Sequence, residues 1–405
     1  MTQIKYKKRW ISTKMRKALN VSKVIILTGA RQTGKTTLLK NEPPFTHYKY
    51  FTMDDLDTLA QAEKDPYPLL SAGKNIIIDE AQRVPKVLLA IKQIVDENKD
   101  YHFILSGSAN FLLIKNISET LAGRASYFKL YPFAYSEIKG ESIPEWFVNI
   151  FQKQFPAEKE IRNDEDVGEI LFRGFLPPIL HLKDPEEVSM WWNGYIKTYL
   201  ERDLRDLSNI SSLADFRNLM ELLALRTGSV IDQTGLSNDT GISQPTIHRY
   251  INLLETSHLF VKLRPFIKSK SKRITKRPKG YFIDSGLAAH LSGIRNPTDI
   301  DGKFKGHLFE SMILENLLAI ADVLGINIYF WRTKSGREVD FILEYRRKVL
   351  AIEVKLSNKA KYEDIQNLLR FIDETPNAIG GILIYNGNRI QRLTANVFAI
   401  PWVML

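Results

Sequence analysis

The sequence predicts an α/β protein: a parallel sheet wrapped by helices, then a helical stretch, a winged helix and a second α/β region. Three observations lead there. The apolar run Val24–Leu27 stands directly before Gly29-Ala30-Arg31-Gln32-Thr33-Gly34-Lys35-Thr36, which reads G-x-x-x-x-G-K-T. A second apolar strand, Asn75–Ile78, ends in the paired carboxylates Asp79-Glu80. After about residue 140 the strand–helix alternation gives way to helix-turn-helix spacing and then to a new set of strands.

The order strand, glycine loop, helix turns the first pattern into a phosphate-binding loop. Glycines let backbone N–H groups curl around phosphates, and the helix that follows adds its positive end. The loop residues Gly29 to Thr37 are expected to bind ATP, with Lys35 on the β/γ-phosphates and the Thr36 hydroxyl on Mg²⁺. Asp79 is expected to join the Mg²⁺ shell and Glu80 to polarise the attacking water.

Composition sets the bounds. With 405 residues the chain exceeds one ordinary core, and 44% hydrophobic with 25% charged residues is a globular balance. A net charge of +11 favours an anionic partner without choosing nucleic acid over an acidic surface. The absence of cysteine excludes disulfides and thiolate metal sites. No apolar run approaches the ~20 residues of a membrane span. The start of the chain, with Lys5, Lys7, Lys8 and Arg9, has no apolar signal core, so a cytoplasmic protein is expected.

Candidate strands in the first region are Lys23–Thr28, His47–Thr52, Asn75–Ile78, His102–Ser106 and Ser126–Leu130. The fourth ends in small polar residues, so Ser106, Ser108 and Asn110 are expected near the γ-phosphate; a simple turn is the other reading. Arg124, at a helix end before the last strand, is placed to reach a neighbouring copy's nucleotide as an arginine finger. From Ala134 to Leu207 the pattern is helical and aromatic, broken at Phe172–Pro178.

A helix over Ile231–Thr240, a turn at Gly241–Ser243 and a helix over Gln244–Thr256 give the helix-turn-helix. Ile247, Ile251, Leu253 and Leu254 face inward, leaving Gln244, Thr246, His248, Arg249 and Asn252 to face outward, the first four as candidate DNA contacts. Wing strands follow at Leu259–Leu263 and Gly280–Ile283. Between Lys262 and Lys279 half of the residues are cationic and none is acidic. Lys268, Lys270, Lys272, Arg273, Lys276 and Arg277 are therefore candidate DNA contacts.

In the last third, Leu308–Ala321 reads as a helix bearing Glu310, with strands at Ile328–Arg332, Val339–Leu343, Val349–Val354 and Gly381–Tyr385 and a helix at Tyr362–Ile372. Glu353 and Lys355, two apart on one strand, share a face. Asp340 on the neighbouring strand and Glu310 from the helix would complete a three-carboxylate Mg²⁺ site, with Lys355 beside it to stabilise a phosphodiester transition state. Ordinary surface charges on strands are the other reading.

Together these runs resemble the prokaryotic AAA-type ATPases with a DUF4143 C-terminal region. The resemblance rests on residues 27–39, 78–85, 121–124, 199–203, 241–247 and 338–343, in that order. It implies an AAA+ P-loop core (1–140), a helical lid (141–209), a winged helix with its basic segment (210–290) and a PD-(D/E)xK nuclease-like α/β domain (291–405). Ring-like homo-oligomers are implied as well. Val339 stands where the nuclease pattern usually carries proline. The expectation is an ATP-driven motor on duplex or branched DNA. Two rivals stay open: an ATP-gated switch that regulates or defends, and a Mg²⁺-dependent nuclease licensed by ATP.

Overall fold

Five parallel strands form the first sheet: β1 (Val24–Thr28), β2 (Lys49–Thr52), β3 (Asn75–Asp79), β4 (His102–Ser106) and β5 (Ala125–Lys129), in the order β2-β3-β4-β1-β5. Val24 lies opposite Phe103 on β4 and Ala125 on β5, so β1 is covered on both edges. All five of its residues are buried, as expected of a strand in a parallel sheet with helices on both faces. Because β1, β4 and β3 are adjacent and parallel, their carboxyl ends open on the same edge. That edge is where an open α/β sheet binds its ligand.

The computed structural model describes residues 6–97, 100–107, 121–198, 210, 212–267 and 269–405, with the side chain at 270 left out. They fall into two units, one running to Tyr131 with Thr256–His258, the other Pro132–Glu255 with Leu259–Leu405. In the first unit Ile26, Ile76, Ile78, Phe103 and Leu105 pack with Val87, Leu88 and Ile91 of the helix Pro85–Glu97.

The second unit holds the remaining strands: β6 (Lys159–Glu160), β7 (Ser229–Val230), β8 (Phe260–Leu263), β9 (Lys279–Phe282), β10 (Asn327–Arg332), β11 (Glu338–Tyr345), β12 (Lys348–Lys355), β13 (Ala378–Tyr385), β14 (Arg389–Arg392) and β15 (Val397–Pro401). The winged helix is present, with helices Leu213–Leu225, Gln233–Thr240 and Gln244–Thr256 and the antiparallel sheet β7-β9-β8. Ile247, Tyr250, Ile251 and Leu254 bury one face of its last helix.

A seven-stranded mixed sheet, β10-β11-β12-β13-β15-β14-β6, makes up the C-terminal part. Its fifth, sixth and seventh positions differ from the sequence reading, which expected no strand after Gly381–Tyr385. β6 comes from the stretch expected to be a helical lid, yet Glu160 pairs with Arg389 at the sheet edge. The described part of the expected lid, residues 141–198, falls in the same unit as that sheet. The break at Phe172–Pro178 also finds its cause here. Gly174 ends the helix Val167–Arg173 at φ 82°, and Asp284 lies so close that a Cβ would fall 1.9 Å from its Oδ1. Asp284 accepts from the N–H groups of Phe175 and Gly286, both at 2.9 Å, fixing the turn. No helix among the described residues is long and apolar enough to cross a membrane.

Candidate functional site

The loop after β1 is shaped by backbone that only certain residues tolerate. Gly29 has φ 154°, and a Cβ there would lie 2.4 Å from the carbonyl oxygen of Leu130. Gln32 (φ 69°) and Gly34 (φ 92°) turn the chain through the left-handed region before the helix Lys35–Asn41 begins. Thr33 Oγ1 donates to Ala30 O at 2.9 Å inside the loop. Arg9, buried although the sequence marks it only as one N-terminal charge, donates to Thr33 O at 3.0 Å and Tyr131 O at 2.8 Å, bracing the loop from outside. Arg31 and Thr37 lie exposed on the loop and the first helical turn.

Lys35 is buried and donates to the carbonyls of Gly29 and Ala30, each at 3.0 Å. Burial lowers its pKa to about 8, against the pull of Glu80 and Asp79. Asp79 lies at the end of β3 and collects donors on both oxygens. Thr36 Oγ1 and the Tyr50 hydroxyl reach Oδ2 at 2.6 Å, while Ser106 Oγ (2.5 Å) and Glu80 N (3.2 Å) reach Oδ1. Burial would push this carboxyl up, but those hydrogen bonds outweigh it and hold the pKa low, so Asp79 is ionised. The Thr36 hydroxyl and Asp79 carboxylate, brought together this way, are the oxygen donors a phosphate-bound Mg²⁺ takes. The set fits a Mg²⁺–nucleoside triphosphate.

Glu80 adopts φ 52°, an uncommon conformation for a side chain of this size. Its carboxyl is half-buried and accepts from Gln82 Nε2. Burial raises its pKa, only partly countered by Gln82 and Lys35. A strained backbone carrying a carboxyl of raised basicity at the strand mouth suits a general base.

Of the remaining nucleotide-site expectations, Ser106 is at the site through its bond to Asp79, whereas Ser108 and Asn110 lie outside the described residues. Arg124 makes a two-pronged pair with Asp96 of its own chain, at 2.5 and 2.9 Å. Two further residues escaped the sequence reading. Tyr50 binds Asp79, and His258, at φ 56°, places Nε2 3.1 Å from Thr28 Oγ1. Burial, with Lys129 and Lys35 nearby, holds His258 well below its usual pKa and therefore neutral at pH 7.

In the second unit the outward face of the helix Gln244–Thr256 is as expected: Gln244, His248 and Arg249 are exposed and Thr246 half-buried. The basic segment needs one correction. Arg273 is no DNA contact: its side chain is 8% exposed, pairs with Glu344 at 2.9 Å and stacks on Phe266 and Tyr329. It sits in a short helix, Lys270–Thr275, where a loop was expected. Lys272, Lys276 and Arg277 remain exposed, while Lys268 and the Lys270 side chain fall outside the described residues. Arg273→Ala strands Glu344 and empties the stack. It is expected to destabilise the unit by about 3 kcal/mol in a denaturant titration, while Lys272→Ala leaves the midpoint in place.

Glu310, Asp340, Glu353 and Lys355 do come together, but with company. Lys279 Nζ lies 3.1 Å from Glu310 Oε1 and pairs with Glu338, and Tyr281 OH donates to the same Glu310 oxygen at 2.5 Å. Among the described residues no group of three or more His, Cys, Asp and Glu side chains is disposed to hold a metal ion.

The first unit is thus a P-loop nucleotide-binding sheet with Lys35, Thr36, Asp79 and Glu80 assembled at one edge. Family models agree: one described as an AAA domain matches residues 21–139, and domains of unknown function DUF8612 and DUF4143 match residues 164–298 and 305–405. The chain belongs to the family of AAA-type P-loop ATPases that carry a DUF4143 C-terminal region. The uncharacterized protein Rv2008c of Mycobacterium tuberculosis is 30% identical over 97% of this chain and 83% of its own length. The uncharacterized protein MJ1637 of Methanocaldococcus jannaschii is 26% identical over 94% of this chain and 83% of its own length. Among solved structures, the Walker-type ATPase PABY2304 of Pyrococcus abyssi is 14% identical with TM-score 0.42, covering 71% of this chain and 99% of that one.

Proposed function

We propose that the protein is an ATP-hydrolysing motor that acts on DNA, by translocation, unwinding or branch migration. Lys35 meets the β/γ-phosphates of ATP, and Thr36 and Asp79 would hold Mg²⁺, which would supply charge neutralisation to the phosphates. Glu80 orients the attacking water and takes its proton. Arg124 of a neighbouring copy in a homo-oligomeric ring, released from Asp96, stabilises the charge that builds on the γ-phosphoryl.

The DNA part rests on a groove of about 980 Å³ in the second unit, where Lys276, Arg277, Arg332 and Lys334 stand beside the half-buried Trp331. Cations that meet phosphates and an aromatic face that meets a base are the chemistry of single-strand binding. Some of that charge is already answered, since Arg277 pairs with Asp232 and Arg332 with Glu338. The exposed Lys276 and Lys334 are thus the test positions.

Replacing both with Ala is expected to lower affinity for single-stranded DNA about tenfold at low salt and to flatten its salt dependence. Trp331→Ala should weaken the same binding by ~1–3 kcal/mol per stacked base. Basal ATPase should stay unchanged in each. Unaltered DNA affinity across these variants would remove the groove from the reading.

A second reading, an ATP-gated switch, draws support from Arg124. A finger held by its own chain's Asp96 suits an ATPase that is slow until a partner engages it.

A further inference from the structure

The four carboxylates Glu310, Glu338, Asp340 and Glu353 gather around β9, β11 and β12 and the helix Gly302–Leu324. Strand geometry brings them together. Glu338 and Asp340 share one face of β11, and Glu353 and Lys355 share one face of β12. Phe341 lies opposite Ile352, which puts Asp340 opposite Glu353 one step along. Asp340 Oδ2 accepts from Val354 N at 2.8 Å, and Lys355 Nζ binds Glu353 Oε1 at 2.7 Å.

The cation that serves the other two acids comes from the wing. Lys279, on β9, has a side chain only 3% exposed and bonds to both Glu310 and Glu338. Glu310 Oε1 is thereby taken twice, by Lys279 and by Tyr281. Glu353 Oε2, in contrast, is buried with no hydrogen-bond donor on it, an open acceptor left in the cluster.

A divalent cation held by Glu310, Asp340 and Glu353 would need the Glu310 oxygen that the Lys279 ammonium already holds. Placing both there sets two positive charges against each other at low dielectric, and the covalently tethered one pays no cost of association. Taking the ammonium away leaves buried carboxylates short of positive charge, the condition under which hard oxygen donors recruit Mg²⁺ or Mn²⁺.

We infer that Lys279 is a built-in counter-ion, whose ammonium holds Glu310 and Glu338 beside Asp340 and Glu353 and so closes the four-carboxylate cluster to divalent metal. Through Lys279, Glu338 ties the wing strand to the C-terminal sheet and Glu310 ties it to the helix Gly302–Leu324. On this account the domain holds nucleic acid without metal-dependent cleavage.

Mn²⁺ binding to the full-length, nucleotide-free chain, followed by electron paramagnetic resonance, tests this. The native chain and its Asp340→Asn/Glu353→Gln variant should give superimposable titrations. Lys279→Met should gain about one tight Mn²⁺ per chain, lost again when the Asp340 and Glu353 changes are added. Lys279→Arg, which keeps the charge, should gain none. Binding by the native chain that depends on Asp340 and Glu353 overturns the inference, whether or not Lys279→Met folds. So does a folded Lys279→Met protein, checked by circular dichroism, that gains no ion, or a gain in Lys279→Arg.

Discussion

Glu80→Gln is expected to bind MgATP as tightly as the native chain and to lower steady-state hydrolysis by a factor of roughly 10²–10⁴. The amide keeps the size and can still accept from water, but it cannot take a proton. On the proposed mechanism binding is spared, because Lys35 and the loop would meet the phosphates and Thr36 and Asp79 the Mg²⁺. The melting temperature should not fall either. Burial already raises the pKa of the Glu80 carboxyl, so a neutral side chain relieves a cost at that position. Equilibrium binding of a fluorescent nucleotide, run beside phosphate release, separates the two effects. Native-like turnover in this variant would move the base to another residue.

Lys35→Ala should abolish measurable nucleotide binding, and the native lysine should make that binding depend on pH. Its ammonium is the form that meets phosphate, and burial has brought its pKa down to about 8. Affinity is therefore full below that value and falls as pH rises through it, approaching ~10-fold per pH unit above. Linkage gives the sign of a second observable. A bound triphosphate raises the pKa of Lys35, so binding near pH 8 takes up a proton. Calorimetry of a non-hydrolysable analogue in two buffers of different ionisation enthalpy reads that uptake directly. Affinity flat from pH 7 to 9 would contradict the perturbed lysine.

The nucleotide site was legible in the sequence because its parts are local. A loop of fixed spacing and a strand ending in two acids each carry their own signal, and parallel pairing then brings Thr36, Asp79 and Ser106 to one edge. The helix Gln244–Thr256 was legible for the same reason, through its apolar period. What escaped depends on partners far away in the chain. A run of nine cations looks uniformly solvated, yet Arg273 turns inward onto Glu344, 71 positions on, and Lys279 onto Glu310, 31 positions on. Nothing in the run marks which cations will find a buried acid. Arg9 read as one of several N-terminal charges, although its guanidinium holds the carbonyl of Thr33. β6 is two exposed charged residues, Lys159 and Glu160, with no apolar alternation to reveal a strand; only the edge of β14 makes it one.

The central claim is that hydrolysis at Lys35, Asp79 and Glu80 is coupled to DNA. It is tested most directly by the steady-state ATPase rate with and without single-stranded, duplex and four-way-junction DNA, each at two salt concentrations. The account predicts strong stimulation by at least one of them, weakened at the higher salt as phosphate contacts are screened. A rate unchanged by every DNA at both salts would contradict it.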